Sequence, residues 1–112
     1  MSSFNQEIVN DALADLRQAR ALKQANEAAL NHEEILPNTR RQCEEAIEKA
    51  NRLSFLAKCR IHDQLRILST ELRDAEEEYL MIEGSDLELY QSIEQMKVLL
   101  HTIEKQRDHA AA

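Results

Sequence analysis

Histidine and cysteine are the residues of this chain with the widest chemistry, because both bind metal ions and both take part in catalysis. The four histidines stand at positions 32, 62, 101 and 109. A metal site on a helix needs Glu-x-x-His or His-x-x-x-His spacing, which puts two ligands on one helix face. Neither pattern occurs, and His101 with Glu104 gives only the reverse order, once. We therefore expect no metal site and four solvent-exposed histidines.

The two cysteines, Cys43 and Cys59, lie sixteen positions apart with no Cys-x-x-Cys motif. On one helix they would be about 24 Å apart, whereas a disulfide needs Cα atoms within about 7 Å of each other. We expect both to be free and packed as small residues rather than catalytic. Unpaired cysteines favour a reducing compartment, so the expected location is the cytoplasm.

The rest of the composition argues against a catalytic or cofactor site. A single glycine excludes the glycine-rich loops that cradle phosphates and dinucleotides. Hydrophobic residues make up 43% of the chain but aromatic residues only 4%, a balance typical of helix–helix packing. We expect no enzyme activity and no cofactor. No run of about 18 apolar residues could span a membrane, and residues 1–10 lack the pattern of a secretory signal.

Pro37 and Gly84, the only proline and the only glycine, divide the chain into helices. Each is followed closely by a Ser/Thr-x-x-Glu/Gln capping box, which opens a helix, and a third box opens the chain. The boxes run over residues 39–42, 85–88 and 3–6. The sequence predicts a single all-α domain over residues 1–112, with helices at about 4–30, 39–83 and 86–109.

Gly84 leaves two interpretations open. As the residue just past the second helix it would end that helix, and Ser85 would cap the third. Alternatively, the apolar spacing continues through Gly84 in one unbroken helix, at a cost of about 1 kcal/mol for the glycine. We favour the turn, because an unbroken helix would place Asp86 on the apolar seam.

That apolar seam follows the heptad pattern of a coiled coil. From Ile61 onward its residues alternate four and three positions apart, which keeps them on one helix face. The predicted seam comprises Ile61, Leu65, Leu68, Leu72, Tyr79, Ile82, Leu89, Ile93, Met96 and Leu100.

Helix lengths then predict the shape. A second helix of about 45 residues would be about 68 Å long, and the other two about 40 Å each. Short connections fold both back antiparallel to it, so they overlap only near residues 58–66. We predict an elongated three-helix antiparallel bundle or coiled coil with one long central helix. A compact four-helix bundle, which needs a bend near residues 59–63, is the alternative.

Five large apolar residues surround the Gly84 turn, and they are the candidate protein-interaction site. Tyr and Met are frequent in interfaces, and the tip holds more apolar residues than two helices can bury between them. The other interpretation is that they close the end of the bundle. The five are Tyr79, Leu80, Met81, Leu87 and Tyr90.

Charge is distributed unevenly along the chain, whose net charge is −7. Residues 38–70 carry seven basic and four acidic groups, whereas residues 71–112 carry four basic and eleven acidic groups. This balance disfavours nucleic-acid binding. The acidic run is either a solvated helix face or a docking surface for a basic partner. Two copies laid antiparallel near Ser69 would set the basic block of one against the acidic block of the other, whereas a covered monomer would leave both blocks solvated.

Taken together, these features predict a non-enzymatic protein–protein interaction module, a scaffold or adaptor subunit of a larger assembly. We expect a homodimer or a hetero-oligomer subunit with protein partners, no nucleic acid and no membrane insertion. One alternative is a small chaperone that holds an amphipathic helix of a client, with the alanine-rich first helix as the displaceable element. Another is an acidic inhibitor that mimics nucleic acid.

Overall fold

The computed structural model describes residues 3–32 and 34–112. They form three α-helices, α1 (Gln6–Leu30), α2 (Pro37–Met81) and α3 (Leu87–Ala111), and no strand occurs among them. The molecule measures 70 × 23 × 16 Å, so α2 spans nearly its whole length. This confirms the predicted all-α, elongated three-helix bundle. The compact four-helix alternative is wrong, because α2 continues through residues 59–63 without a break.

The first two helices begin at residues other than the predicted caps. Asn5, not Ser3, caps α1: its side-chain oxygen accepts the backbone N–H of Glu7 at 2.9 Å. Helix α2 begins at Pro37, two residues before the predicted Thr39, and has no side-chain cap. Proline suits the first helical position because it lacks an N–H and its φ is already helical. The boxes at residues 3–6 and 39–42 are therefore wrong as helix starts.

The turn between α2 and α3 confirms the helix break at Gly84, although the glycine sits one position later than predicted. Glu83 takes the left-handed position after α2, with φ 58°, and Gly84 follows with φ 70°. The N–H of Gly84 donates to the backbone carbonyl of Tyr79 at 2.9 Å, and the N–H of Glu83 donates to the backbone carbonyl of Leu80 at 3.1 Å. These two bonds define a Schellman motif, which satisfies the last carbonyls of a helix.

Asp86 opens α3, where Ser85 was predicted. Its carboxylate accepts the N–H of Leu89 at 3.1 Å. The Ser85 hydroxyl instead donates to the carbonyl of Ile82, at 2.8 Å. The predicted helix limits of 4–30, 39–83 and 86–109 therefore shift by up to two residues at each end.

Both shorter helices lie antiparallel to α2. Near the start of α1 the N–H of Phe4 donates to Glu71, and further along Arg60 donates to Asp15. For α3, the Tyr90 ring meets Tyr79 of α2 beside the turn. Helices α1 and α3 are consequently parallel to each other and meet only near the middle of the molecule, where Arg20 donates to the carbonyl of His109 at 2.9 Å.

The core lies in this middle section, where all three helices overlap. Beyond it, α2 is accompanied by α1 alone towards its N-terminus and by α3 alone towards its C-terminus. Two helices bury less of each other than three do, so cover decreases towards both ends. The core residues are Val9, Ala12, Leu13, Leu16, Ala57, Ile61, Leu65, Leu68, Ile103 and Ala110.

Candidate protein-interaction surfaces

The residues with catalytic or metal-binding chemistry are scattered over the molecule. Cys43 is buried and Cys59 exposed, and both are free. His62 is exposed and lies about one turn from Cys59 along α2. No group of three or more His, Cys, Asp or Glu side chains within residues 3–32 and 34–112 is arranged to hold a metal ion. The described residues also form exposed apolar and acidic surfaces.

The apolar residues predicted to form an interaction site are gathered beside the α2–α3 turn. Leu80, Met81, Leu87 and Tyr90 are 75%, 85%, 68% and 44% exposed, and we call these four residues the hairpin-tip patch. Tyr79 is half-buried beneath it, its ring centroid 5.9 Å from that of Tyr90. The structure thus places four of the five predicted residues on the surface and the fifth as their support.

The patch is exposed because the third helix does not reach it. Phe4, just before α1, contacts α2 at Glu71, which leaves the last ten residues of α2 covered by α3 alone. Along α2 the predicted seam loses cover in the same direction: Ile61, Leu65 and Leu68 are buried, whereas Leu72 and Tyr79 are half-buried. On α3, Ile93 is buried, and Leu89, Met96 and Leu100 are half-buried. Ile82, the seam residue at the turn, is 38% exposed.

A ring of carboxylates borders the hairpin-tip patch. All are exposed, and within residues 3–32 and 34–112 none lies within salt-bridge distance of a basic side chain. Like charges held together in this way repel one another and attract a basic surface. The ring comprises Glu77, Glu78, Glu83, Asp86 and Glu88.

A second apolar surface, which the sequence analysis missed, lies on the outer side of α2. Phe55 and Leu56 are 65% and 59% exposed, and we call these two residues the α2 outer patch. Both residues lie beside buried Ala57, so in the sequence they resemble a wider apolar face. Val98, on the outer side of α3, is a further isolated apolar residue, 65% exposed.

An open groove adjoins the α2 outer patch where α3 ends. Its volume is about 440 Å³, and Ala19 and Lys23 of α1, Ala50 and Phe55 of α2, and Ala111 of α3 line it. Its walls combine small residues with three basic side chains and one acidic side chain. The groove is open to solvent and continues the surface around Phe55.

None of the helices, within the part of the chain that the structure describes, has both the length and the hydropathy required to cross a membrane. Comparisons with protein families, curated proteins and solved structures give no match to this chain.

Proposed function

We propose that this protein is a non-enzymatic protein–protein interaction module, a scaffold or adaptor subunit of a larger assembly. The hairpin-tip patch carries the proposal: Leu80, Met81 and Leu87 are each at least two-thirds exposed at a single place on the molecule. Burying one such side chain stabilises a complex by about 1.5–3 kcal/mol. A cluster of them on a helical hairpin therefore favours a protein contact.

The rigidity of the hairpin supports this use. The Schellman bonds hold the end of α2, and the Tyr79 ring packs against Tyr90 beneath the exposed residues. A preorganised surface loses little conformational entropy on binding. The carboxylate ring would orient a partner with a basic surface, since charge complementarity sets specificity and association rate more than affinity.

The chaperone alternative has less support. It requires α1 to leave the bundle, yet α1 contributes four of the ten core residues in the three-helix overlap, and Asp15 and Arg20 bond it to α2 and α3. The nucleic-acid mimic has less support too, because large apolar residues interrupt the acidic surface. The two free cysteines, one of them exposed, suit a reducing compartment and support the expected cytoplasmic location.

Site-specific photo-crosslinking tests the proposal. A photoreactive phenylalanine analogue replaces Leu87 in the hairpin-tip patch and, as a control, Lys105, which is exposed on the same helix. We expect a discrete protein adduct from position 87 and none from position 105, in the purified chain or in an extract of its source. Equal adducts from both positions, or none from position 87, would contradict the proposal.

A further inference from the structure

The outer side of α2 carries a second heptad stripe, which nothing in the bundle covers. Starting from Arg52, its residues alternate four and three positions apart, and every one of them is exposed. Because this spacing keeps them on one face, the stripe runs along α2 directly opposite the core seam. It comprises Arg52, Leu56, Cys59, Asp63, Arg66, Thr70, Arg73, Glu77 and Leu80.

After Arg52, the stripe has an apolar residue near each end and polar or small residues between them. Leu56, with Phe55 beside it, marks one end, and Leu80, with Met81 beside it, marks the other. The intervening residues are charged or small. Such a face can pair with an identical face that runs antiparallel to it. The apolar residues near one end of each face then meet the apolar residues near the other end of its partner.

We propose that a second copy of this chain is that partner, and that the protein is an antiparallel homodimer joined through the outer faces of its two α2 helices. The inference rests on the proposed function and names one partner for it. With the two-fold axis at Leu68, the α2 outer patch of each copy meets Leu80 and Met81 of the other. The contact occurs twice, so two apolar clusters form, one at each end.

Charge fixes the orientation of the dimer. In this arrangement Asp63 of each copy lies opposite Arg73 of the other, so this ion pair forms twice. A parallel pair would instead set Asp63, Arg73 and Glu77 each against its own equivalent, which is unfavourable. Moving the axis by half a heptad, to between residues 64 and 65, would place Leu56 opposite Arg73 and separate the apolar residues.

Cys59 makes the orientation testable without a foreign probe. In the proposed dimer it lies opposite Glu77 of the second copy, and the two Cys59 residues are about 27 Å apart. The wild-type chain therefore forms no Cys59–Cys59 disulfide under mild oxidation. The variant E77C forms a covalent dimer, in which Cys59 of each copy is joined to the thiol introduced at position 77 of the other. Each disulfide forms as its two thiols lose one hydrogen atom each to the added oxidant.

The control is E76C, which makes the same chemical change at the neighbouring exposed position, off the stripe. We expect at least tenfold more covalent dimer from E77C than from E76C. Equal yields from the two variants, or efficient dimerisation of the oxidised wild-type chain through Cys59, would overturn the antiparallel arrangement.

The strength of association gives a second measurement that does not depend on disulfide chemistry. L56S removes an exposed side chain from both clusters, so the dimer's dissociation constant should rise at least 100-fold while helix content stays unchanged. V98S alters an equally exposed residue on α3 and should leave the dissociation constant within threefold of wild type. Sedimentation equilibrium supplies both numbers.

The dimer and the proposed function fail in different ways. A wild-type chain that is monomeric at all concentrations overturns the dimer. If position 87 still forms a discrete adduct with another protein, the proposed function stands without it. If position 87 forms no adduct either, both are overturned. An adduct of twice the chain mass, together with efficient E77C coupling, supports both.

Discussion

Gln64 is the only buried polar residue in the described part of the chain, at 7% exposure, and it fixes where α1 begins. Its side-chain oxygen accepts the N–H of Asn5 at 2.7 Å, and Glu71, two turns further along α2, accepts the N–H of Phe4 at 3.2 Å. These N–H groups precede the first helical turn of α1 and have no partner in that helix. A polar residue on an otherwise apolar face thus sets the register of one helix against another.

We predict that Q64A lowers the free energy of unfolding by about 0.5–1.5 kcal/mol, because it removes the hydrogen bond that the N–H of Asn5 donates to the Gln64 side chain. Amide hydrogen exchange should quicken at residues 5–9 more than in the rest of α1. Q91A, a control at an exposed glutamine of α3, should change stability by less than about 0.5 kcal/mol. Equal stability of Q64A and wild type in urea unfolding would show that this bond does not fix the register.

Leu68 lies in the centre of the three-helix overlap and is 2% exposed. L68D would bury an unpaired carboxylate among apolar side chains, which costs several kcal/mol. We expect loss of folding or a much lower melting temperature in circular dichroism. E76K, on the exposed side of the same helix, should keep its helix content. A melting temperature unchanged by L68D would mean that the core has been assigned to the wrong face.

At the scale of the element, the α2–α3 turn contains a locally unfavourable residue. Glu83 has a left-handed backbone, which costs an L-residue about 1–2 kcal/mol relative to glycine. Its carboxylate also lies beside the C-terminal end of the α2 dipole, where negative charge is unfavourable. Gly84 comes next, so the sequence supplies its glycine one position after the site that most commonly has one.

We therefore predict that E83G stabilises the protein by about 0.5–1 kcal/mol, since glycine takes this conformation without strain. E83Q removes the charge but keeps the Cβ, and it should recover only the smaller, electrostatic part of the gain. Thermal unfolding of the two variants separates these contributions. A destabilised E83G would indicate that the Glu83 side chain makes a contact that matters more than backbone strain.

The number and order of the helices could be predicted from the sequence, whereas their exact starts and the cover of the seam could not. Pro37 and Gly84 were enough to predict three helices and their antiparallel order, because no other residue interrupts the helical composition. The helix starts were harder, since Ser3 and Asn5, like Ser85 and Asp86, are competing caps within two residues of each other. Heptad spacing locates a seam, but the length of the neighbouring helices decides how much of it is covered.

The candidate site was predictable in part for the same reason. Tyr79, Leu80, Met81, Leu87 and Tyr90 were identified from their position around a turn. Phe55 and Leu56 were missed, because two apolar residues beside a seam resemble a wider seam until the positions of α1 and α3 are known. Gln64 was missed because its partner is a backbone N–H 59 residues away, which no local spacing can indicate.

At the scale of the whole molecule, unequal helix lengths leave both ends of α2 half-covered. The proposed dimer would bring those ends together. Its apolar clusters are not screened by salt, whereas its ion pairs are. We predict that raising ionic strength from about 0.01 M to 0.15 M, where the Debye length falls from about 30 to 8 Å, weakens the dimer severalfold without abolishing it. Sedimentation equilibrium at the two concentrations measures this. A dimer strengthened by salt would contradict the paired charges.

The central claim is that another protein surface covers the hairpin-tip patch, and the oxidation rate of Met81 tests it most directly. Met81 is almost fully exposed on the isolated chain, whereas Met96 is half-buried within the bundle and serves as the internal reference. Peroxide oxidation followed by peptide mass spectrometry gives both rates in the same sample. We predict that Met81 oxidises faster than Met96 in dilute chain, and that its rate falls at least fivefold in concentrated protein or in an extract of its source while that of Met96 is unchanged. A Met81 rate that stays the same under all three conditions would contradict the account.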